Sequence, residues 1–482
     1  MSKIKSILAK IAPLHRDELV KFFCVSALII LICYVHDILR ISKDALVMSH
    51  LGTEYISAIK IWAVLPTSLI FMFLYIKLSD VFSRAKLFHI MNWFLISYFV
   101  LFALVLYPNS DAITIHISDK LMASLPTFKY FFNMVKNWHY CLFYAFSEGW
   151  VMIMLSISFW QTANHITTLN ESKRLYPLLG FASHAGLMAA AFSSKIFVVN
   201  GTNWQPTLNN STISIVVAGI GISICLFVLE KKIIGTEAFN FKKGHFKGKR
   251  KISIKESMKY VAKSKPIMLI TILLLCFNLS FTLIEGVWKK SIELLCNNNA
   301  NLIQNFLGNV NMFIPLVGFV CTILSIYILQ THRWRMSALI TPIVGLLTGG
   351  AFFLFMLLKD CSYITALQTS ALSIGILFGS INNVFTRGTK HTLFDSTKEM
   401  IYIPLDDDLQ TKGKAAAETI GMKFGKGAGA AVQQTLLAIF PAMTLIDLSP
   451  IISVVFFTIL AWWIYSIAIS SKRLLPSIFF KK

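Results

Sequence analysis

Charge is scarce in this chain of 482 residues, and acidic charge is scarcer still. Only 14% of the residues are Asp, Glu, Lys or Arg, where a soluble protein uses about a quarter to keep its surface wet. With 56% hydrophobic residues and a mean hydropathy of +0.66, that shortage excludes a cytosolic enzyme and a disordered chain alike. Paired cysteines are missing too. The eight Cys (24, 33, 141, 225, 276, 296, 321 and 361) lie mostly within apolar runs, and none forms a CxxC pair. They read as small apolar packing residues rather than as a disulfide scaffold or a metal site. No GxxxxGK[ST] phosphate loop occurs, and Gly425–Lys426–Gly427 lacks its spacing, strand and hydroxyl. There is no HExxH motif and no spacing of nucleophile, base and acid. The sequence therefore offers no catalytic residue, no metal site and no cofactor site. The segment from Met1 to Pro13 is basic but has no small-residue cleavage site, so the first apolar run reads as a retained span.

What the chain has in abundance is apolar runs long enough to cross a hydrocarbon core about 30 Å thick. Twelve are expected: 20–40, 56–77, 88–107, 140–160, 175–199, 212–230, 266–287, 305–330, 335–358, 362–386, 415–441 and 450–470. Lipid offers backbone groups no partners, and the runs are too apolar for a barrel, so every span should be helical. The fold class expected is an all-α polytopic membrane protein, twelve transmembrane helices in two six-helix halves.

The net charge of +22 fits topology better than nucleic acid, because basic residues gather in alternate loops. Arg84 and Lys86, Lys173 and Arg174, Arg333 and Arg335, and Lys472 and Arg473 mark one side. Asp111, Asp119, Asp360 and Asp447 mark the other. From Lys231 to Lys265, twelve Lys or Arg face only Glu237 and Glu256. The chain thus divides into residues 1–230, a basic cytoplasmic linker 231–265, and residues 266–482, with both termini cytoplasmic. Six spans, a linker and six more match the two-halved layout of many secondary transporters. Lys77–Leu78–Ser79–Asp80, followed by Arg84 and Lys86, looks like the loop motif of the major facilitator superfamily, with Lys77 where a Gly usually opens it.

Ionisable residues inside spans are expensive and mark function by default. The first span ends His36–Asp37–Ile38–Leu39–Arg40–Ile41–Ser42–Lys43–Asp44, and helical spacing puts His36, Arg40, Lys43 and Asp44 on one stripe. Arg40 and Lys43 offer guanidinium and ammonium donors to an anion. Glu148 sits deep in the fourth run, and Glu285 and Lys289 lie one turn apart in the seventh. Asn382, Asn383, Arg387 and Lys390 precede an acidic and basic stretch from Asp395 through Asp406–Asp407–Asp408 to Lys414. Gly421, Gly425 and Gly429 follow at every fourth position, a spacing that lets helices approach closely. A lysine on so tightly packed a helix, Lys426, must reach a cavity or an acid.

Several of these segments resemble the ATP/ADP translocase (nucleotide transporter) family of plastids and obligate intracellular bacteria, which is unrelated to mitochondrial carriers. They are Ile38 to Asp44, Leu283–Ile284–Glu285–Gly286–Val287–Trp288–Lys289, Phe159–Trp160–Gln161 with Asn164, Glu171 to Tyr176, and the block from Arg387 to Gln434. The run from Asp395 to Lys414 is the most specific. The resemblance implies a major-facilitator-like fold of twelve helices. Four charged positions important for transport in the family match Lys43, Glu148, Glu285 and Lys426. The fourth-helix motif reads Ser147–Glu148–Gly149–Trp150 where the family usually has Ala before the Glu and Leu–Trp after it, and Ile41 stands where Asp often follows the first-helix Arg.

The function expected is nucleotide transport across the inner membrane, ATP/ADP exchange by alternating access, by a monomeric carrier embedded in the bilayer. Arg40, Lys43, Lys289 and Lys426 would bind substrate phosphates, with Glu148 and Glu285 pairing with them in the empty cavity, and Arg387 and Lys390 complete the substrate-binding set. The alternatives are uptake of GTP, CTP or UTP by exchange or proton symport, and an enzyme acting on a lipid-linked phosphate. The latter's one acidic metal candidate is Asp406–Asp407–Asp408, beside Lys412 and Lys414.

Overall fold

The computed structural model describes residues 19–118, 122, 124–167, 169–234, 264–331, 334–358, 368–402, 405 and 413–473. The described helices run α1 Leu19–His50, α2 Glu54–Val81, α3 Arg84–Leu106, α4 Trp138–Ile166, α5 Leu169–Phe197, α6 Gln205–Lys232, α7 Lys265–Leu295, α8 Ala300–Thr331, α9 Trp334–Leu358, α10 Gln368–Thr389, α11 Gly425–Ile439 and α12 Ser449–Arg473. Among the described residues, nine contain a stretch long and apolar enough to span a membrane: α1 to α4, α6 to α9, and α12. The more polar α5, α10 and α11 occupy the other three expected positions. Helix α5 starts at Leu169 rather than near 175 because Glu171, Lys173 and Arg174, all able helix formers, carry the helix past the apolar run. Most of the expected linker (235–263), Asp406 to Lys412 and both extreme termini lie outside the described residues.

Local chemistry sets the helix ends. Pro206, Pro266 and Pro450 lie in the first turns of α6, α7 and α12, where the missing N–H has no intrahelical partner to lose. Gly52 at φ +106° reverses the chain between α1 and α2, and Asn297 and Asn298, at φ 49° and 56°, do so between α7 and α8. Six described segments wind as π-helix, at 60–64, 102–106, 151–159, 230–234, 390–394 and 419–424. Lys60 and Lys390 each open one of these turns, and Glu148 and Lys426 lie close beside two others. Extra turns of this kind cluster at functional sites.

Two cores form. One draws on α1 to α6, from Val25 to Leu229, with Ala300 added. The other draws on α7 to α12, from Ile267 to Ile467, and takes in Ile41, Ala45 and Tyr144 from the first helices. Helix α7 is the most enclosed span, with 78% of its apolar window buried, and packs on α10, α11 and α12. The glycine spacing expected to permit close approach does so. A Cβ at Gly425 would stand 2.9 Å from Asn278 Cβ and 3.1 Å from Leu275 O on α7, and one at Gly429 would stand 2.7 Å from Thr282 Cβ. The first six and last six helices meet through α5 with α8, α1 with α8, and α2 with α11. Counting six helices on converts the α2–α11 contact of this seam into the α8–α5 contact.

Candidate functional site

The charges that sequence spacing placed inside the spans converge on this seam. On α1, Arg40 pairs with Asp37 one turn earlier, and Asp37 is wholly buried. Lys43 Nζ lies 2.8 Å from Glu148 Oε1 of α4 and 3.5 Å from Asp44 Oδ1. Asp44 Oδ2 then reaches Lys289 Nζ of α7 at 2.8 Å, and Lys289 is 3.2 Å from Glu285. Glu285 accepts a 2.6 Å hydrogen bond from Arg387 Nη2 of α10, with Lys60 Nζ of α2 3.8 Å away. One continuous chain of alternating charge therefore runs Glu148–Lys43–Asp44–Lys289–Glu285–Arg387 across both groups of helices. Burial makes an unpaired charge costly here, so alternation is the condition for holding so many ions in the core. Tyr144 adds a ring face 3.6 Å from Lys43 Nζ, and Phe281 one 5.1 Å from Arg387 Cζ, contacts in which the π-cloud attracts the cation.

Arg40 stands beside this chain in its own pair with Asp37, and two expected site residues stand outside the ion pairs altogether. Lys390 Nζ lies over the Phe277 ring at 5.6 Å, and Lys426 is exposed on α11. Each lies within the other's field, and Lys426 also within that of Glu148. Among the described residues neither has an ion-pair partner. Two small pockets open on two sides of Lys289. One is lined by Lys60, Glu285, Gly286 and Gln433, the other by Arg40, Asp44, Asn311, Asn383 and Arg387.

A second cluster, which the sequence reading missed, closes the seam at the α1–α2 turn. Glu293 Oε2 of α7 accepts 2.6 Å hydrogen bonds from both Thr53 N and Thr53 Oγ1. Lys290 Nζ bridges Glu293 at 2.6 Å and Glu54 of α2 at 3.1 Å. Gln434 Nε2 of α11 donates to Ser57 Oγ at 2.6 Å and to Glu54 O at 3.1 Å. On the same face, Trp204 Nε1 donates to Gln304 Oε1 at 2.8 Å and Thr207 Oγ1 to Asn301 Oδ1 at 2.7 Å. At the other end, Lys21–Glu171 and Lys398–Glu418 each lie within one group of helices. Lys60 was also missed, though a lysine four residues into an apolar run is a signal of the same kind as Glu148. Glu293 carries no such signal because its run has already ended, and Gln434 carries none because it is uncharged.

The family model described as TLC ATP/ADP transporter matches residues 1–473. This chain belongs to that family. It is 36% identical to "ADP,ATP carrier protein 3" of Rickettsia felis over 492 aligned positions, covering 98% of this chain and 97% of the relative. Its fold is that of major-facilitator transporters. A bacterial homologue of the iron transporter ferroportin, solved in an inward-facing state, superposes with a TM-score of 0.62 at 10% identity, covering 95% of this chain and 100% of that one. A D-xylose–proton symporter does so with 0.56 at 12% identity, over 96% and 99%. The family member is a transporter and not an enzyme, and the nucleotide-carrying family is the one its motifs resemble.

Proposed function

We propose that this transporter exchanges ATP for ADP across the inner membrane by alternating access, with Arg40, Lys43, Lys289, Arg387, Lys390 and Lys426 as the phosphate-binding cations. The observation that carries the reading is the contrast within the site. Its inner cations are already neutralised by Glu148, Asp44 and Glu285, while Lys390 and Lys426 are not. An arriving polyphosphate meets the unpartnered lysines first. It then competes with the carboxylates for Lys43, Lys289 and Arg387, through charge-assisted bonds roughly twice as strong as neutral ones. Because Asp44 and Lys289 belong to opposite sides of the seam, that competition loosens the seam and couples binding to movement of the halves. The member relative's name and the family description support the same pair of substrates.

In this reading α5, α10 and α11 complete a set of twelve spans, in halves of residues 1–230 and 266–482 joined by the basic linker. The protein works as a single chain with both termini cytoplasmic. The bonds at the α1–α2 turn shut the face away from the termini, leaving the site to load from the cytoplasm in this conformation.

The test is uptake of labelled ATP by intact bacterial cells expressing the chain, competed with each unlabelled nucleotide. Competition by ATP and ADP ahead of GTP, CTP and UTP supports the reading. Uptake indifferent to ADP, or absent altogether, overturns it.

A further inference from the structure

We propose that the short helix Lys129–Lys136, which precedes α4, is an interfacial anchor for anionic phospholipid. Its apolar stripe meets the acyl chains, and Lys129 and Lys136 meet the headgroup phosphate.

The helix has two faces with different surroundings. The inner one is packed against the protein. Asn133 Nδ2 donates to Tyr55 Oη of α2 at 2.8 Å, the Tyr130 and Tyr55 rings meet edge to face at 4.9 Å, and Met134 is buried. The outer one begins at Phe128, in the turn just before the helix, and continues through Phe131, Phe132 and Val135 at the spacing of a single helical stripe. Phe128 is 53% exposed and Phe131 39%.

What covers the stripe follows from its neighbour. On α2, Trp62, Leu65, Leu69 and Phe73 recur at helical spacing, each more than half exposed, and form the side of that span that faces lipid. Phe131 stands edge-on to Trp62 with ring centroids 5.6 Å apart, so the two apolar surfaces are continuous. Depth agrees. The 28 residues of α2 measure about 42 Å against a hydrocarbon core of about 30 Å, which leaves its first turns in the headgroup layer. Trp62 lies just below them, where headgroups give way to acyl chains. Amphipathic helices settle at that depth, and aromatic side chains gather there.

Charge names the headgroup. Between Asp119 and Glu148 the chain has Lys120, Lys129 and Lys136 and no acid. Lys129 is exposed and Lys136 half-buried, and among the described residues neither has an ion-pair partner. This end of the bundle is remote from the basic loops, and lysines here oppose the positive-inside bias. Two uncompensated ammonium groups beside an apolar stripe suit a phosphodiester of net negative charge. Their stems can lie along the apolar surface while the charges stay in the headgroup layer. A zwitterionic headgroup carries its own cation and gains less.

The experiment places the full chain, in a background without the native cysteines, in liposomes of phosphatidylcholine and phosphatidylglycerol. One small fluorophore is attached at Val135→Cys or, as a control on the lipid-facing stripe of α2, at Leu69→Cys. Brominated acyl chains, which quench the fluorophore on contact, are carried by one lipid or the other at the same mole fraction. The label at 135 should be quenched more by brominated phosphatidylglycerol, and the label at 69 by both alike. The excess should correspond to roughly 5-fold local enrichment per lysine, fall as salt is raised, and vanish when Lys129→Ser and Lys136→Ser are combined. Gel filtration in detergent establishes that each variant is assembled, and Phe128→Cys takes the place of Val135→Cys if the latter is not. Equal quenching by the two lipids, or an excess that survives loss of both lysines, overturns the anionic site. No quenching by either lipid overturns the anchor itself, as does quenching between labels on two copies, which would make a second copy the partner of the stripe.

Discussion

Asp44 of α1 and Lys289 of α7 meet at 2.8 Å across the seam between the first six and the last six helices, and both are buried. With the Lys60–Glu285 pair, 3.8 Å apart, the bond joins the charge cluster of the first helices to that of the last. Removing one partner of a buried pair strands the other, at a cost of about 3–5 kcal/mol. Asp44→Asn should therefore lower membrane abundance as well as ATP/ADP exchange. Adding Lys289→Gln, which removes the stranded cation, should restore abundance without restoring exchange. Both are read by quantifying the protein in isolated membranes beside uptake. Restored exchange in the double variant would make the pair a packing device only.

The lysines that bind phosphate and the acids that hold them should separate in kinetics. Lys43→Ala or Lys426→Ala removes a charge-assisted contact of about 1.5–3 kcal/mol, on the order of 10–150-fold in triphosphate affinity. Glu148→Gln and Glu285→Gln keep shape and lose charge, so they should slow turnover more than they weaken binding. Binding measured on purified protein beside exchange rates resolves the two classes. Normal affinity and normal transport in both lysine variants, at normal abundance, would remove them from the site.

The cluster at the α1–α2 turn must open for substrate to leave on that face. Thr53→Cys with Glu293→Cys, in a background without the native cysteines, places two thiols where backbone and carboxylate now bond. A short reducible crosslinker should stop exchange, and reduction should restore it. Exchange that continues while the link is intact would mean that this face does not open in the cycle.

Close packing of α11 on α7 gives a test of stability with an internal control. A side chain at Gly425 must displace Asn278 and the Leu275 carbonyl, while nothing stands within 4 Å of a Cβ at Gly427. Gly425→Leu should fall in membrane abundance and thermal stability, and Gly427→Ala should not. Thermal aggregation of detergent-solubilised protein measures the difference.

The architecture was legible because hydropathy is one-dimensional information. A run such as Lys265–Leu295 announces a span by composition alone, and the glycine spacing at Gly421, Gly425 and Gly429 announces a packed face. Glu148, Glu285 and Lys426 were legible for the opposite reason, as charges where solvation forbids them. Which cation meets which acid was not legible. Lys43 is adjacent to Asp44 in sequence yet lies closer to Glu148, 105 positions away, at 2.8 Å, because the path of α4 past α1 decides it. Glu293 stayed hidden for another reason. It is a charge at a helix end, and it violates no rule until its neighbours are in place.

Exchange by purified protein in liposomes tests the central claim most directly. With no ion gradient, vesicles preloaded with ADP should take up external labelled ATP far faster than empty vesicles, and internal ADP should leave in step. Equal uptake by empty vesicles, with or without a proton gradient, would contradict exchange as the mode of transport.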